Sequence, residues 1–413
     1  MQKHSLMSDA QVLGDSPVTG RYFLAFPRDL QASGTRFLAT TAGLKVARTD
    51  DFDSAALRVE ELGDAEALVY HNLGVALVSV DPDQLQWLST AQPLGFPKFC
   101  PESERIISLI NPIQMQFDPD TLTTAEVAAP ETWGLRVTRA VHSTKSGQQV
   151  KVAILDSGFD LTHPDFTNRN IAGNAHSFVP GQTVQDSIGH GTHCTGTACG
   201  PLHPGRHPRY GIAHNAEIYI GKIIDDAGKG TDCWLLAGIN WAIEHRCQIV
   251  SMSLGTLIKK ETSFSSIFET AASRALQAGT LLIAAAGNDS RRSSDIFNPV
   301  SHPANCPSIM AVASVDTQLR VALNSNQEFN SDGGQVDIAA PGVSIYSSWL
   351  EPARYLSRNG TSMATPHVAG IAALHLEANP NIVGLGLWAR LMQTAQRLPL
   401  SSKDVGSGLV QAP

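Results

Sequence analysis

From residue 149 onward the sequence alternates between short apolar runs and longer amphipathic segments, and this alternation restricts the fold more than any other feature. Gln149–Leu155 (QVKVAIL) and Thr280–Ala286 (TLLIAAA) are almost wholly apolar, as is typical of strands buried on both faces of a parallel sheet. Thr231–Arg246 and Ser266–Ala278 have the length and spacing of helices that connect such strands. The pattern predicts one large α/β domain with a mostly parallel sheet over residues 130–413.

The residues before this domain follow a different order. Between residues 21 and 110, predicted strands and helices occur in the order βαββαβ, with a β-rich run at Glu66–Val80 and a helix that begins after Asp81. This order is that of a compact ferredoxin-like α+β module. We expect residues 1–20 to be a flexible lead, and the polar, proline-punctuated residues 111–129 to be an exposed linker.

Composition narrows the classes of partner and compartment. The chain has 413 residues, a net charge of −8 and no apolar run near the roughly 20 residues that span a bilayer. An acidic chain is poorly suited to nucleic acid or to anionic membranes, so we expect neither as a partner. Residues 1–23 lack the apolar core of a secretory signal, which predicts a cytoplasmic protein, or a secreted one if a signal has been removed. The six cysteines lack zinc-type spacing and are expected to be mostly buried free thiols.

Three polar residues lie where the active-site residues of α/β sheets collect, just beyond strand ends or in a small-residue motif. Asp156 follows the first buried strand, Asn288 follows the run TLLIAAAG, and His190 lies in GHGTHCTGT. Each has a structural alternative. The aspartate can cap a turn, the histidine can be a packed core residue, and the asparagine can occupy a loop turn. Taken singly, none of the three identifies a function.

The segment Asn359–Gly370 (NGTSMATPHVAG) places Ser362 where a loop enters an apolar helix. Gly360 permits a backbone geometry that other residues resist, and Pro366 is expected in the first helical turn, where its missing N–H costs little. A serine in this position can be a helix cap. It can also be a nucleophile, if a base accepts its proton and a third group orients that base. The aspartate and histidine candidates together supply both.

The order aspartate, histidine, serine, with the asparagine between the last two, is the order that subtilisin has. Residues 130–413 resemble the subtilisin-like serine proteases, or subtilases. The segments AILDSGFDLTHPDF, GHGTHCTGT and NGTSMATPHVAG match all three signatures of the family, and AAAGND matches its oxyanion segment. The Cys194 of GHGTHC is most similar to the proteinase K branch. Residues 21–110 are similar, more loosely, to the inhibitory propeptides of the family, of the inhibitor I9 type.

The resemblance implies a subtilisin-like three-layer fold and a serine endopeptidase that hydrolyses peptide bonds through an acyl-enzyme. Ser362 is then the nucleophile and His190 its general base. Asp156 orients the imidazole, and Asn288 donates to the oxyanion. The resemblance also implies a zymogen whose own N-terminal propeptide is bound in cis and self-cleaved within the linker. The substrate-binding residues that it implies are Ser251, Ser253, Leu254, Gly255, Gly228, Gly230, Ala286 and Gly287.

This chemistry requires no cofactor, and calcium is where the sequence departs from the family pattern. Asp165 matches a carboxylate that binds a structural Ca²⁺ in many relatives. The loop that usually completes the site is Gly200–Gly211 here. It contains no Asp, Asn or Glu, although Ca²⁺ prefers oxygen ligands. The sequence therefore predicts that this site is absent or altered.

Two other classes of function remain open. A leader peptidase or transpeptidase of a biosynthetic pathway would use the same triad, because the motifs do not specify whether water or an amine takes the acyl group. The mass of the product discriminates these reactions. A non-catalytic binding protein on a protease fold would not need the intact set of four candidate residues, and that set argues against it.

Overall fold

The computed structural model describes residues 18–51, 64–91, 99–109, 129–330 and 332–413. The predicted lead before residue 18 and the predicted linker at 111–128 lie outside these ranges. The strands are β1 (Val18–Ala25), β2 (Val46–Arg48), β3 (Ala67–Tyr70), β4 (Val75–Val78), β5 (Glu102–Leu109), β6 (Lys151–Asp156), β7 (Ala175–Ser177), β8 (Glu217–Lys222), β9 (Lys229–Thr231), β10 (Ile249–Met252), β11 (Leu254–Gly255), β12 (Leu281–Ala285), β13 (Met310–Val315), β14 (Ile338–Pro341), β15 (Ile345–Ser348) and β16 (Tyr355–Arg358). The α-helices are α1 (Gln31–Thr40), α2 (Pro82–Thr90), α3 (Trp133–Val137), α4 (His190–Cys199), α5 (Asp232–Glu244), α6 (Ser266–Gln277), α7 (Thr361–Ala378), α8 (Leu385–Thr394) and α9 (Ser402–Val405).

A 7-stranded sheet in the order β14-β13-β12-β10-β6-β8-β7 forms the centre of the large domain, and all of its neighbouring strands pair in parallel. Apolar side chains fill both faces of the sheet. Ile154 belongs to one hydrophobic cluster and Leu155 to the other. The parallel α/β architecture predicted from the apolar runs is therefore confirmed. The longest helix, α7, is buried from Thr361 to Leu376 and packs against the sheet.

The N-terminal module is an antiparallel sheet with helices on one face. Its strands lie in the order β5-β1-β4-β3-β2, in which only the β2–β3 pair is parallel. The module has one strand more than the expected βαββαβ order, because the run Glu66–Val80 forms two strands, β3 and β4. One face of the sheet has its own small core, which includes Leu24, Phe26 and Leu38. The other face, with Tyr70 and Ile107, shares a hydrophobic cluster with the large domain.

The last strand of the module, β5, lies between two short strands of the large domain. It pairs antiparallel with β9 on one side and with β11 on the other. These contacts extend the sheet of the module into the large domain and fix how the two parts meet. Among the described residues, no helix has the length and hydropathy of a membrane span.

Candidate active site

Asp156 and His190 form a buried pair at the carboxyl edge of the central sheet. Asp156 is the last residue of β6, and His190 is the first residue of α4. The imidazole Nδ1 lies 2.7 Å from Asp156 Oδ1, which also accepts the Ser157 backbone N–H at 2.7 Å. Burial opposes a charge on the imidazole, but the Asp156 carboxylate outweighs it and raises the pKa of His190 well above its usual value. The carboxylate therefore stabilises the imidazolium that forms when Nε2 takes up a proton.

Asp186, which was not among the predicted residues, connects the segment after Asp156 with the first turn of the helix that begins at His190. Its Oδ1 accepts hydrogen bonds from Ser157 Oγ at 3.0 Å and from the Gly189 N–H at 2.9 Å. Its Oδ2 accepts from the N–H and hydroxyl of Thr192 in the first turn of α4. A carboxylate at a helix N-terminus is favourable electrostatically and satisfies otherwise unpaired N–H groups. Its only sequence signal is an aspartate four residues before the histidine.

Ser362 lies in the first turn of α7, not in the loop before it. The helix begins at Thr361, and Gly360 precedes it with φ +146°, a conformation that residues with a Cβ rarely adopt. Ser362 Oγ donates to the Ser253 carbonyl at 3.3 Å. The Nε2 atom of His190 is buried and has no hydrogen-bond partner. The serine–histidine hydrogen bond is thus not formed in this structure.

Cys194 demonstrates that the serine and histidine segments are nevertheless neighbours. Its Sγ is 3.8 Å from His190 Nδ1 and 3.5 Å from the Ser362 carbonyl oxygen. Asp156, His190 and Cys194 form the single group of three potential metal ligands found in the described part of the chain, and it consists of the site just described.

Pro366 lies inside α7 and not in its first turn, so the predicted placement is wrong. The proline has no N–H to donate to the carbonyl four residues earlier, which is that of Ser362. That carbonyl instead accepts from Ser253 Oγ at 2.8 Å. The proline thus frees a backbone oxygen of the helix ladder for a contact with the segment after β10, and this contact anchors the turn that carries Ser362.

Asn288 is held with its amide nitrogen free. Its Oδ1 accepts from the N–H and from the hydroxyl of Thr361, both at 2.9 Å. Its Nδ2 is buried without a partner. A Cβ at position 360 would lie 2.6 Å from that nitrogen, which explains the glycine there. Thr361 was also missed at the sequence level, although it lies between two residues of the predicted motif.

The predicted substrate-binding residues mostly lie along β5. Leu254 and Gly255 pair with Leu109 and Ser108 from one side. On the other side Gly230 pairs with Ile107, and the Leu109 N–H donates to the Gly228 carbonyl at 3.4 Å. Ser253 lies next to Ser362, and Ala286 and Gly287 directly precede Asn288. Ser251 is not in this cleft, because it is paired inside the central sheet with Ile154 and Ile283.

His193, the second histidine of the motif GHGTHCTGT, and Asp165 both bond to groups outside the proposed triad. His193 Nε2 lies 2.9 Å from the Ile345 carbonyl and 3.1 Å from the Leu356 carbonyl. Burial lowers the pKa of His193 to about 3, so the ring stays neutral and its Nε2 carries the donated proton. Asp165 lies between Asp156 and His190 in the sequence and accepts hydrogen bonds from the phenols of Tyr210 and Tyr355.

Comparisons with known proteins agree with this geometry. A family model described as the subtilase family matches residues 147–408. Subtilisin E of Bacillus subtilis is 39% identical over 280 residues, which is 66% of this chain and 67% of the relative. A thermostable alkaline protease of Halalkalibacterium halodurans is 38% identical over 299 residues, or 70% and 74% of the two chains. An alkaline protease of Alkalihalobacillus alcalophilus is 36% identical over 330 residues, or 78% of each.

Proposed function

The chain belongs to the subtilase family and is a serine endopeptidase, and on that premise we propose that Ser362, His190 and Asp156 are its catalytic triad. The observation that carries the proposal is the buried Asp156–His190 pair, which leaves the imidazole Nε2 unbonded beside the helix turn that bears Ser362. The substrate is a peptide or protein, and the reaction proceeds by acyl transfer to the serine hydroxyl.

The roles follow from the positions of the protons. Asp156 accepts a hydrogen bond from the Nδ1–H of His190, so the neutral imidazole has its free lone pair on Nε2. Nε2 takes the proton of Ser362 as Oγ attacks the substrate carbonyl, and then delivers it to the leaving amine. Water next attacks the acyl-enzyme by the same proton transfers. Ser362 Oγ must first turn from the Ser253 carbonyl toward His190, a rearrangement common when no substrate is bound.

Two donors stabilise the negative charge that develops on the substrate oxygen. One is the Nδ2 of Asn288, a buried donor with no other partner, and the other is the Ser362 N–H at the start of α7. Because Thr361 fixes the amide oxygen of Asn288, the donor is oriented before substrate arrives and costs no reorganisation during the reaction.

The triad is tested by labelling with a fluorophosphonate, followed by intact and peptide mass analysis. Wild-type protein should carry one label, on Ser362, and Ser362→Ala should carry none. Ser401→Ala, which changes a surface helix cap, is the matched control and should label like wild type. A label on another serine of the wild type would refute the assignment. A free amine added with a peptide substrate separates hydrolysis from transpeptidation, because only transpeptidation gives a joined product.

The N-terminal module is a propeptide that inhibits the enzyme in cis, of the inhibitor I9 type. The support is the position of β5, which pairs on both sides as an added strand, the mode in which extended peptides bind sheet edges. Two carboxylates of β5 also face helix N-termini of the large domain. Glu104 accepts from the Cys233 N–H at 3.1 Å, and Glu102 accepts from the Ser266 N–H at 2.7 Å.

The direction of β5 supports a processing site in the segment that follows it. Leu109, its last residue, pairs with Leu254, which is next to Ser253, and the Ser253 carbonyl accepts from Ser362 Oγ. We therefore expect self-cleavage within residues 110–129, which follow Leu109 in the sequence.

Processing is tested by incubating wild-type protein and Ser362→Ala and measuring intact masses. Wild type should lose a fragment of about 12 kDa, the share of 44.1 kDa that 110 of 413 residues represent, and the new N-terminus should lie in the linker 111–129. Ser362→Ala should remain intact. Loss of the same fragment from both proteins would contradict self-cleavage, whereas a new N-terminus outside the linker would contradict the proposed location alone.

We place the chain near the proteinase K branch on the strength of Cys194, which contacts both His190 and the Ser362 carbonyl from α4. Because the thiol contacts both segments, a bulky thiol reagent that modifies Cys194 should displace His190 and abolish fluorophosphonate labelling. Cys194→Ala should label normally and should still label after treatment with the reagent. Loss of labelling in the treated variant would show that the reagent acts at another cysteine and would contradict this placement.

A further inference from the structure

Asp165 joins three segments that are distant in sequence. It lies in the turn Pro164–Phe166, and its Oδ2 accepts hydrogen bonds from two phenols. Tyr210, from the loop that follows α4, is 1% exposed. Tyr355 is the first residue of β16 and donates at 3.1 Å. The loop after the helix that bears His190 and the strand before the turn that bears Ser362 thus share one carboxylate.

Aromatic rings surround this carboxylate. The His207 ring stacks on Tyr355 with a centroid distance of 3.7 Å, and its Nδ1 lies 2.7 Å from the Tyr346 hydroxyl. His163 meets Tyr355 edge-to-face at 5.3 Å, and its Nε2 is 2.9 Å from the Arg354 carbonyl. Burial, followed by the neighbouring carboxylate, raises the pKa of Tyr210 and Tyr355 well above the phenol value. Both hydroxyls therefore keep their protons and act as donors.

These residues do not fit calcium. Ca²⁺ takes six to eight oxygen ligands, and a cation at Oδ2 would face the positive ends of two O–H dipoles. The loop Gly200–Gly211 offers no side-chain oxygen except the Tyr210 phenol itself. Within the ranges that the structure describes, no group of three acidic, histidine or cysteine ligands includes Asp165. Arg354, bound to Asp160 at 3.1 Å, adds a positive charge beside Tyr355.

We propose that the cluster of Asp165, Tyr210 and Tyr355 takes over the structural role of the calcium that the family resemblance implies at Asp165. The carboxylate stabilises the catalytic domain by accepting phenol hydrogen bonds, and calcium does not act through it. This inference concerns stability and does not depend on the proposed catalytic roles or on the propeptide.

The test is thermal unfolding of the full-length chain in a Ser362→Ala background, which prevents autolysis, with millimolar CaCl₂ or with EDTA. Tyr355→Phe and Tyr210→Phe each remove one hydrogen bond to a charged group and should lower Tm by about 2–6 °C in either buffer. Tyr219→Phe is the matched control, because its phenol donates to the exposed carboxylate of Glu217 at 3.1 Å. It should change Tm by less than about 1 °C.

The decisive comparison is the change in Tm that calcium itself produces. The proposal expects the same calcium-dependent change in the Ser362→Ala parent, in Asp165→Asn and in Tyr355→Phe, even if calcium binds elsewhere in the protein. A calcium-dependent rise in Tm that disappears in Asp165→Asn would overturn the proposal. If Asp165→Asn does not fold, the melting temperatures of Tyr210→Phe and Tyr355→Phe provide the test. Melting temperatures within about 1 °C of the parent for both would overturn it.

Discussion

The contact between Ile107 and the large domain gives a quantitative test of the proposed inhibition by the N-terminal module. Ile107 is 0% exposed, pairs with Gly230 in β9, and belongs to the same hydrophobic cluster as Ile224. A Cβ on Gly230 would lie 3.2 Å from Ile107 Cγ1 and 2.8 Å from Ile224 Cδ1, so the pocket around this side chain is filled. Truncation to alanine should leave a cavity that the surrounding strands cannot close.

The cost of that truncation can be converted into an affinity. Removal of three buried carbon groups costs about 2.4 kcal/mol in transfer free energy, and the cavity raises the total into a range of about 2–5 kcal/mol. At 1.4 kcal/mol per tenfold change, the cleaved module should bind roughly 30- to 4,000-fold more weakly in Ile107→Ala. Ile107→Val removes one carbon group and should weaken binding by only about 2- to 12-fold.

The assay is a dilution series of processed protein with a fluorogenic peptide. As the module dissociates, activity per enzyme rises, and the concentration at half-maximal release measures the affinity of the module. Wild type, Ile107→Val and Ile107→Ala should form a graded series. A half-release concentration that is the same in wild type and Ile107→Ala would refute the reasoning. A loss of self-cleavage in Ile107→Ala would point instead to a role for this residue in presenting the processing bond.

Other variants test the site and the stability of the domain. Asp156→Asn should leave the fold intact, as judged by circular dichroism, and lower kcat by about 10⁴-fold, because the imidazole would adopt the wrong tautomer. Asn288→Ala should lower kcat by roughly 10²- to 10³-fold with little change in KM, a range measured for a subtilisin and not worked from this structure. Thr361→Val should lower kcat by about tenfold because the Asn288 amide loses one of its two anchors, and Thr361→Ser should restore it. Burial raises the pKa of Asp337 to about 7, so its stabilising effect is complete below about pH 4 and is lost as the pH rises through 7. Asp337→Asn should therefore unfold at a temperature that falls less between pH 4 and 7 than that of wild type. A parallel fall in both would contradict the shift.

Much of the domain could be predicted from local patterns. Apolar runs fixed the strands β6 and β12 to within a few residues, because strands buried on both faces have few alternatives to aliphatic side chains. The residues Asp81-Pro82-Asp83 marked the start of α2 correctly, because capping by an aspartate and a proline in the first turn are local effects. Asp156, His190, Asn288 and the serine were recognisable for the same reason, since each lies within a short motif.

The errors have a common physical cause. Pro366 was expected in the first turn of α7 because a proline inside a helix normally costs about 3 kcal/mol. Its cost is offset here by a contact with Ser253 that is 109 residues away in sequence. Ser251 was expected in the cleft because it belongs to the segment SMSLG, which resembles a substrate-binding segment of the family, but β10 carries it into the central sheet. Local propensity cannot report such long-range partners.

The sequence by itself determined most of the strands and helices, the family and the four candidate active-site residues, because backbone preference, burial pattern and short motifs are local properties. The tertiary structure alone decided which groups meet. Asp186 joins the aspartate and histidine segments, β5 fills the cleft, and the Asp165 carboxylate finds phenols that are 45 and 190 residues away. Such contacts depend on where the folded chain brings distant segments together, and local preferences along the sequence do not determine that.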